Sequence, residues 1–421
     1  MSKAKIPVYD ESKVKTLSSL EHIRTRPGMY IGRLGNGAHP DDGIYVLLKE
    51  VIDNAVDEFI MGFGKRIDIR LADSGEVAVR DYGRGIPLGK VIDCVSQINT
   101  GAKYNNDVFQ FSVGLNGVGL KAVNALASLF RVESVRDGHY KAATFRQGVL
   151  DNEEEGGTEA VDGTEVRFTP DSDFFPDFLF DTKLIRRRLW NYAWLNSGLV
   201  LHFNDERFYS RNGLLDLLAE KVDAEKAYEI VYHRSANLEF GFCHTSSFGE
   251  TYYSFVNGQY TNDGGSHLSA FREGLLKGVN EFAGKSLDGA DVRNGIVGAV
   301  AVKIREPLFE SQTKNKLGNH EIRPEIVAKV RDVVAAALYK HEDTATALMA
   351  KIGQNEKVRQ EIQLVRREAK EKAKRASFKI PNLRDCKYHL TDADPRGAKA
   401  TLFLTEGQSA AGSMISCRDV E

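Results

Sequence analysis

An α+β fold is expected from three patterns in this chain of 421 residues. A helix with one polar and one apolar side runs through Lys49–Glu58, short alternating strands follow it, and in the second half a strand, a helix and a second strand suggest a crossover unit. At a soft prior of about 150 residues per domain, the length allows two to three domains, each large enough for its own core. Hydrophobic residues make up 42% of the sequence and charged residues 28%, the composition of an ordinary globular protein. A formal net charge of -2 argues against a surface coated for phosphate binding but not against a local basic groove. Cys94, Cys243, Cys386 and Cys417 are far apart and form no Cys-x-x-Cys pair, so neither a zinc site nor a disulfide framework is expected, and a reducing, cytoplasmic compartment fits. The N-terminus lacks the apolar run of a signal peptide, and no stretch approaches the roughly 18 apolar residues of a membrane span.

The first helix carries the strongest chemical pattern. At about 100° per residue, Glu50, Asn54, Asp57 and Glu58 fall within roughly a third of its circumference, while Leu48, Val51, Ala55 and Phe59 cluster opposite. A carboxylate that can activate water and a neutral oxygen that can hold a hard cation, one turn apart, suit a metal-nucleotide site, with a solvated acidic face as the alternative. Next, Ile67, Ile69 and Leu71 alternate with polar residues up to Ala72-Asp-Ser-Gly75, and Val77 and Val79 alternate beyond it, which predicts a β-hairpin with a glycine-containing turn. Asp81 continues on the face of Val77 and Val79, a carboxylate at the end of a half-buried strand, and buried carboxylates need partners. Gly83-Arg-Gly-Ile-Pro87 then turns the chain; its glycines either leave space for a flat ligand against the backbone or serve an ordinary turn. A second cluster, Gly114-Leu-Asn-Gly-Val-Gly119, precedes Leu120, Val123, Leu126 and Ala127 at helical spacing. Such a loop offers backbone N–H groups and a positive dipole end to phosphate. No Gly-Lys-Ser/Thr follows, so it is not a Walker loop. Gly163–Phe168 begins another strand, with Thr164 offering a hydroxyl.

Beyond about residue 222, Tyr252–Thr261 is a strand pattern, Ser266–Phe282 a helix, and Gly295–Ile304 an apolar run typical of a buried strand. The polar loop Glu310–Lys316 follows. From Pro324 to about Ser377 the composition is helical, with a break expected at Gly353; Ile326, Val330, Val333 and Val334 recur at helical spacing. Lys370, Lys372, Lys374 and Arg375 make the end of this stretch basic, either a solvated helix face or a wall that meets DNA phosphates. Near the end, Thr401–Thr405 reads as an apolar strand that places Glu406 before a small-residue turn.

In this order, the segments resemble the nucleotide site of the GHKL ATPases, the superfamily of gyrase, a heat-shock chaperone, histidine kinases and MutL. Arg26-Pro-Gly-Met-Tyr-Ile-Gly32, Glu50–Glu58, Asp81–Pro87, Thr100-Gly-Ala-Lys103, Gly114–Gly119, Gly163-Thr164 and Ser311–Leu317 together look like the ATP-binding B subunit of bacterial type IIA topoisomerases, gyrase or topoisomerase IV. The resemblance runs from about Tyr9 to the last residue. It implies a GHKL α/β sandwich over 1–221, a transducer domain with a long C-terminal helix over 222–395, and the start of a Toprim domain over 396–421. ATP and Mg²⁺ are the implied cofactors.

By the same resemblance, Glu50 would polarise water for attack on the γ-phosphate and Asn54 would hold Mg²⁺, with Asp57 and Glu58 completing the polar wall. Asp81 would accept from the adenine amino group, with Thr164 beside it, and Gly85, Ile86 and Pro87 would let the base lie close. Lys103 and the backbone of Gly114, Leu115, Asn116, Gly117, Val118 and Gly119 would wrap the triphosphate. Asn116 stands where the family often has histidine. Arg84 and Arg136 would sit at the pocket mouth or be solvated surface arginines. Gln312 and Lys314 would reach the γ-phosphate from the transducer loop, and Tyr9 would cross to the partner protomer, so that ATP binding forms a homodimer. Glu406 would be a Toprim Mg²⁺ ligand. Gln408 replaces the usual aspartate there, and both it and Ala411 lean toward topoisomerase IV or a divergent branch. Because the sequence stops at Glu421, before the acidic pair that completes such a site, and the nucleophilic tyrosine belongs to a partner cleavage subunit, no DNA cleavage is expected of this chain alone. The implied function is an ATP-driven gate for DNA passage; another GHKL clamp, or a clamp that binds nucleotide without turnover, competes with it.

Overall fold

The computed structural model describes residues 14, 16–101, 117–222, 225–310, 314–376, 384, 386–390 and 394–417. It divides into two compact units, Met1–Glu356 and Lys357–Glu421.

The first unit opens with α1 (Ser19–Thr25), α2 (Gly28–Ile31) and the long α3 (Gly43–Ile60). Asp42 pins the entry to α3: it is buried, and its Oδ2 accepts the backbone N–H groups of Gly37 and His39. The hairpin β1 (Arg66–Leu71) and β2 (Val77–Asp81) follows, then α4 (Val91–Ser96) and α5 (Gly119–Ala125). Strands β3 (Ala127–Arg136), β4 (His139–Arg146), β5 (Val149–Gly157) and β6 (Gly163–Pro170) lead to α6 (Thr182–Leu195), β7 (Val200–Phe203), β8 (Glu206–Tyr209) and α7 (Leu214–Lys221). These eight strands form one sheet in the order β5-β4-β3-β6-β2-β1-β7-β8, antiparallel except for the β1–β7 pair.

Cross-strand register explains where the core stops. Ile69 pairs Val79, which pairs Val166, which pairs Val132; Val77, Phe168 and Phe130 make the neighbouring row. All seven are buried against the helical layer. The next row along the same face changes character, bringing Ile67 opposite Asp81 and Thr164 opposite Ser134. Since side chains alternate strictly along a strand, the polar residues at the sheet's end point the same way as the core.

The sequence reading is corrected at α5. Leu126 caps that helix and Ala127 already belongs to β3, so the helical spacing through Ala127 is accidental. Both ends of the turn are fully buried, and burial on every side leaves an apolar run without a periodicity to read.

A second sheet contains β9 (Val231–Arg234), β10 (Leu238–His244), β11 (Glu250–Val256), β12 (Gln259–Tyr260) and β13 (Ile296–Val302), in the order β12-β11-β13-β10-β9. The expected crossover is present: β11 runs parallel to β13, with α8 (Ser266–Ala283) and the short α9 (Gly289–Arg293) between them. On one face α8 packs beside α10 (Arg323–Lys340), burying Phe271, Leu275, Val279, Val330 and Val334. On the other, Phe255 and Ala299 join Trp194 of α6 and Leu214, Leu217 and Leu218 of α7 in a third cluster, which binds the two sheets into one unit.

The helix after α10 is α11 (Glu342–Ala376). It passes through Gly353 without interruption, and the break falls at His341 instead, where φ is -120° and ψ is 87°. Glycine costs about 1 kcal/mol in a helix interior, too little to stop one of this length. In the second unit, α12 (Gln408–Cys417) forms, but the strand expected before Glu406 does not: Leu402, Phe403 and Leu404 are exposed and unassigned to any sheet. A strand needs a hydrogen-bonding neighbour, and none pairs with it among the described residues. No helix among the described residues is long and apolar enough to cross a membrane.

The same substitution should act oppositely at two glycines. A Cβ on Gly278 would lie 2.7 Å from the carbonyl oxygen of Arg331 and 2.8 Å from Val334 Cβ, whereas one on Gly353 would meet nothing within 4 Å. Gly278→Ala is expected to destabilise by about 1–3 kcal/mol through overpacking, and Gly353→Ala to stabilise by about 0.5–1 kcal/mol. Denaturant unfolding of both variants checks the signs.

Candidate functional site

Helix α3 crowds carboxylates into a largely buried position, and the structure neutralises them in different ways. Glu50 is approached from two directions. A Cβ on Gly119 would come within 2.0 Å of Glu50 Oε2, so a larger residue at the start of α5 would have to push this carboxylate aside. From the other side, Lys314 Nζ lies 3.8 Å from Glu50 Oε1, with side chains 11% and 15% exposed. Lys314 comes from the loop after β13 and holds a left-handed backbone, φ 58°, which costs a non-glycine residue of the order of 1 kcal/mol and persists only where the surroundings enforce it. They do so here: the N–H of Asp263 donates to the carbonyl of Asn315, that of Ser266 to Leu317, and that of Leu317 to Gly264. The loop is thereby fastened to the start of α8.

Asn54, one turn along α3 from Glu50, donates its side-chain N–H to the Glu50 backbone carbonyl. That bond turns the amide oxygen, the end able to hold a cation, away from the helix backbone. Asp57 is only 3% exposed, so the acidic stripe is not a solvated face. Glu58 is gripped by Arg84: Nη2 lies 2.9 Å from Oε1, while Nε and the backbone N–H donate to Oε2 at 3.0 and 3.1 Å. The guanidinium also sits 4.2 Å above the Phe63 ring. A planar fork matched to a half-buried carboxylate is the stronger arrangement, and it draws Arg84 in. Arg136, at the end of β3, is 40% exposed, 3.5 Å from the Asp137 carboxylate.

Asp81 ends β2 as a 7%-exposed carboxylate whose Oδ1 accepts N–H groups from Gly83 at 2.9 Å and Thr164 at 3.2 Å. Burial pushes its pKa up to about 6 against the pull of those two donors, with Glu58 adding to the rise. Gly85 has φ +72°, and a Cβ there would meet the Val135 carbonyl oxygen at 2.5 Å, so β3 demands the glycine as much as any ligand does. Ser134 Oγ donates to the carbonyl of Ile86 at 2.8 Å, and Pro87 leads into the next helical turn. Gly117, Val118 and Gly119 lead into α5. Tyr9, Lys103, Gly114, Leu115, Asn116 and Gln312 lie outside the described residues. Glu406 is exposed, in the turn before α12.

One group escaped the sequence reading. Asp53, on the side of α3 away from Glu58, is 7% exposed, paired with Lys49 Nζ at 2.5 Å, and accepts the Tyr192 hydroxyl from α6. Burial alone would raise its pKa, but Lys49 and Lys314 outweigh this and hold the carboxyl below its ordinary value. The Lys49–Asp53 spacing of one turn was a visible signal; nothing in the sequence points to Tyr192.

By the 1.5 Å rise per residue, Glu50 and Glu58 stand about 12 Å apart along α3. The site therefore has two ends: a buried acceptor at Asp81 and Thr164, and a carboxylate–lysine pair at Glu50 and Lys314.

Comparison with known proteins bears on both halves of the first unit. A family model described as histidine kinase-, DNA gyrase B-, and HSP90-like ATPase matches residues 40–173, and one described as DNA gyrase B matches residues 207–369. The B subunit of DNA topoisomerase 4 from Borreliella burgdorferi is 54% identical over 98% of this chain and 69% of its own length. The B subunit of DNA gyrase from Thermotoga maritima is 32% identical over 98% of this chain and 69% of its own. Among solved structures, the 43K ATPase domain of Thermus thermophilus gyrase B in complex with an aminocoumarin superposes with a TM-score of 0.67 at 28% identity, covering 83% of this chain and 98% of that one. The topoisomerase IV ATP-binding domain of Francisella tularensis, bound to a small-molecule inhibitor, gives 0.65 at 25% identity, with 81% and 98% covered.

The raised pKa of Asp81 fixes a sign for stability. The folded protein holds this proton more tightly than the unfolded chain, so the contribution is complete below about pH 4 and is lost as pH rises through about 6, a change of order 3 kcal/mol. Asp81→Asn is expected to remove that descent. Unfolding free energies of both proteins, measured without nucleotide between pH 4 and 7, would diverge as pH rises; parallel curves would place the titration elsewhere.

Proposed function

The chain belongs to the B subunits of type IIA DNA topoisomerases, the ATP-hydrolysing subunits that work with a separate A subunit, and from that premise we propose how its own residues divide the reaction. The observation that carries the reading is the meeting of Lys314 with Glu50. Glu50 is the general base: it takes a proton from water, whose oxygen bonds to the γ-phosphorus as the bond to the bridging oxygen of ADP breaks. Lys314 stands where charge accumulates on the transferred group, and it is supplied by the second sheet. Asp81 receives the adenine amino group, with Thr164 beside it. Asn54 is the residue that would hold a magnesium ion, whose charge offsets that of the phosphates; an amide oxygen suits a hard cation, and its nitrogen is already committed to the helix.

Residues 1–221 are read as the ATPase domain, 222–395 as the transducer and 396–421 as the opening of a Toprim domain. Lys103, the backbone of residues 114–119 and Gln312 are assigned to the phosphates, and Glu406 to the Toprim metal. The 54% identity to the Borreliella topoisomerase IV subunit favours topoisomerase IV. DNA is the substrate of the assembled enzyme in this reading, with the basic end of α11 among the surfaces that meet it.

Two outcomes test the assignments. Glu50→Gln is expected to keep ATP binding while lowering steady-state phosphate release by roughly 10²–10⁴-fold, the usual worth of a general base; turnover near the wild-type rate would remove Glu50 from the role. A clamp that binds without turnover would show no wild-type rate to lose.

The arm containing Tyr9 is assigned to closing the partner's nucleotide site. Light scattering should then report a monomer or weak dimer without nucleotide and a stable dimer with a non-hydrolysable ATP analogue, because the bound triphosphate offsets the entropy of ordering the arm. A chain lacking residues 1 to 14 that still dimerises on nucleotide would reduce the arm to a tail.

A further inference from the structure

A cavity of about 540 Å³ opens beside Glu50. Its walls come from α2 and the segment leading into α3, from α3, α6 and the end of α7, and from the second sheet's β11–β12 hairpin and Lys314 loop, and neither Asp81, Gly85 nor Thr164 lines it. It therefore touches the Glu50–Lys314 end of the site and not the adenine end. Its charge is lopsided: Lys49, Arg187, Arg188, Lys221 and Lys314 line it against two carboxylates, Asp41 and Glu50. Some of that charge is already matched. Lys49 pairs with Asp53, Lys221 with Glu220 and Lys314 with Glu50, which leaves Arg187 and Arg188 against Asp41. Arg188 donates to the backbone carbonyls of Tyr45 and Pro40 at 2.8 and 3.2 Å, which satisfies its N–H groups but leaves its positive charge unneutralised. Arg187 makes no hydrogen bond or ion pair among the described residues, and Tyr260 lies within its electrostatic reach.

In an in-line displacement the phosphoryl group moves from the leaving oxygen toward the attacking water. With water on Glu50 and ADP still filling the adenine end, the cleaved phosphate ends up on the cavity side of the reaction. It is then a small, strongly hydrated anion beside a water-accessible space whose walls carry a surplus of positive charge, the arrangement that concentrates an anion. Resting on the reading of Glu50 as the hydrolytic base, we propose that this cavity is a binding and exit site for inorganic phosphate, with Arg187 as its receiving cation. The product leaves through it past α6 while ADP is still in place, so phosphate and ADP depart by separate routes.

Arg187 lies on the exposed side of α6 and takes no part in the chemistry assigned above, so its variants should fold and cleave ATP. Calorimetry with inorganic phosphate alone, on the full chain, is expected to show one site that R187E weakens about tenfold to a hundredfold, the worth of one charge-assisted hydrogen bond, and that R187K retains. In pre-steady-state kinetics, acid-quenched cleavage should be unchanged in R187E while release of phosphate to a fluorescent phosphate sensor lags behind it by about tenfold. No phosphate binding in the wild type, equal binding in all three proteins, or release that keeps pace with cleavage in R187E overturns the proposal. Cleavage that survives Glu50→Gln would overturn the base assignment instead, and the nucleotide-free calorimetry would still decide whether the cavity binds phosphate.

Discussion

A carboxylate taken out of water must be given a partner, and the architecture around α3 follows from that requirement. Glu50, Asp53, Asp57 and Glu58 occupy three successive turns of one helix that is buried along most of its length. Three of the partners come from elsewhere in the chain: Arg84 from the turn after β2, Tyr192 from α6, and Lys314 from a loop beyond residue 300. Breaking such pairs singly strands a buried charge, which is far costlier than never having buried it. The helix therefore organises its surroundings, and pieces more than two hundred residues apart are drawn to one surface.

The sheet solves the same problem with backbone. Asp81 has no salt-bridge partner among the described residues, Arg80 acting on it only at a distance; two N–H groups hold one of its oxygens. Donors of that kind are fixed in place and neutral, so the carboxyl stays easier to protonate than an ion-paired one would be. The contrast with Asp53, which two lysines hold in its charged form, shows two buried aspartates of the same first unit shifted in opposite directions by their neighbours.

How much of this could be read beforehand depended on distance along the chain. The hairpin, the crossover unit and the polar side of α3 are local periodicities, and they appear where the spacing placed them. The end of α5 and the continuity of α11 are not, because one apolar run changes from helix to strand without a polar marker and one glycine is outweighed by the helix around it. Partner choice was the least legible. Arg84 carries no mark of preferring Glu58 over solvent, and Tyr192 looks like any core aromatic until α6 lies against α3. The apparent strand before Glu406 failed for a related reason: alternation and hydrophobicity describe what a segment offers, while a sheet also requires a neighbour to accept it.

The loop that carries Lys314 is anchored by its backbone to the first residues of α8, and α8 interlocks with α10 where glycine brings the two backbones close. The lysine is thus the tip of a stiff part, not the end of a tether. A shift in what it touches at Glu50 has little slack to absorb it, so the first element to respond is a pair of helices moving as one body. The stroke available to such a lever is set by how far packed helices can slide, typically an ångström or two, which makes the Glu50–Lys314 contact sensitive to displacements about the size of a single bond.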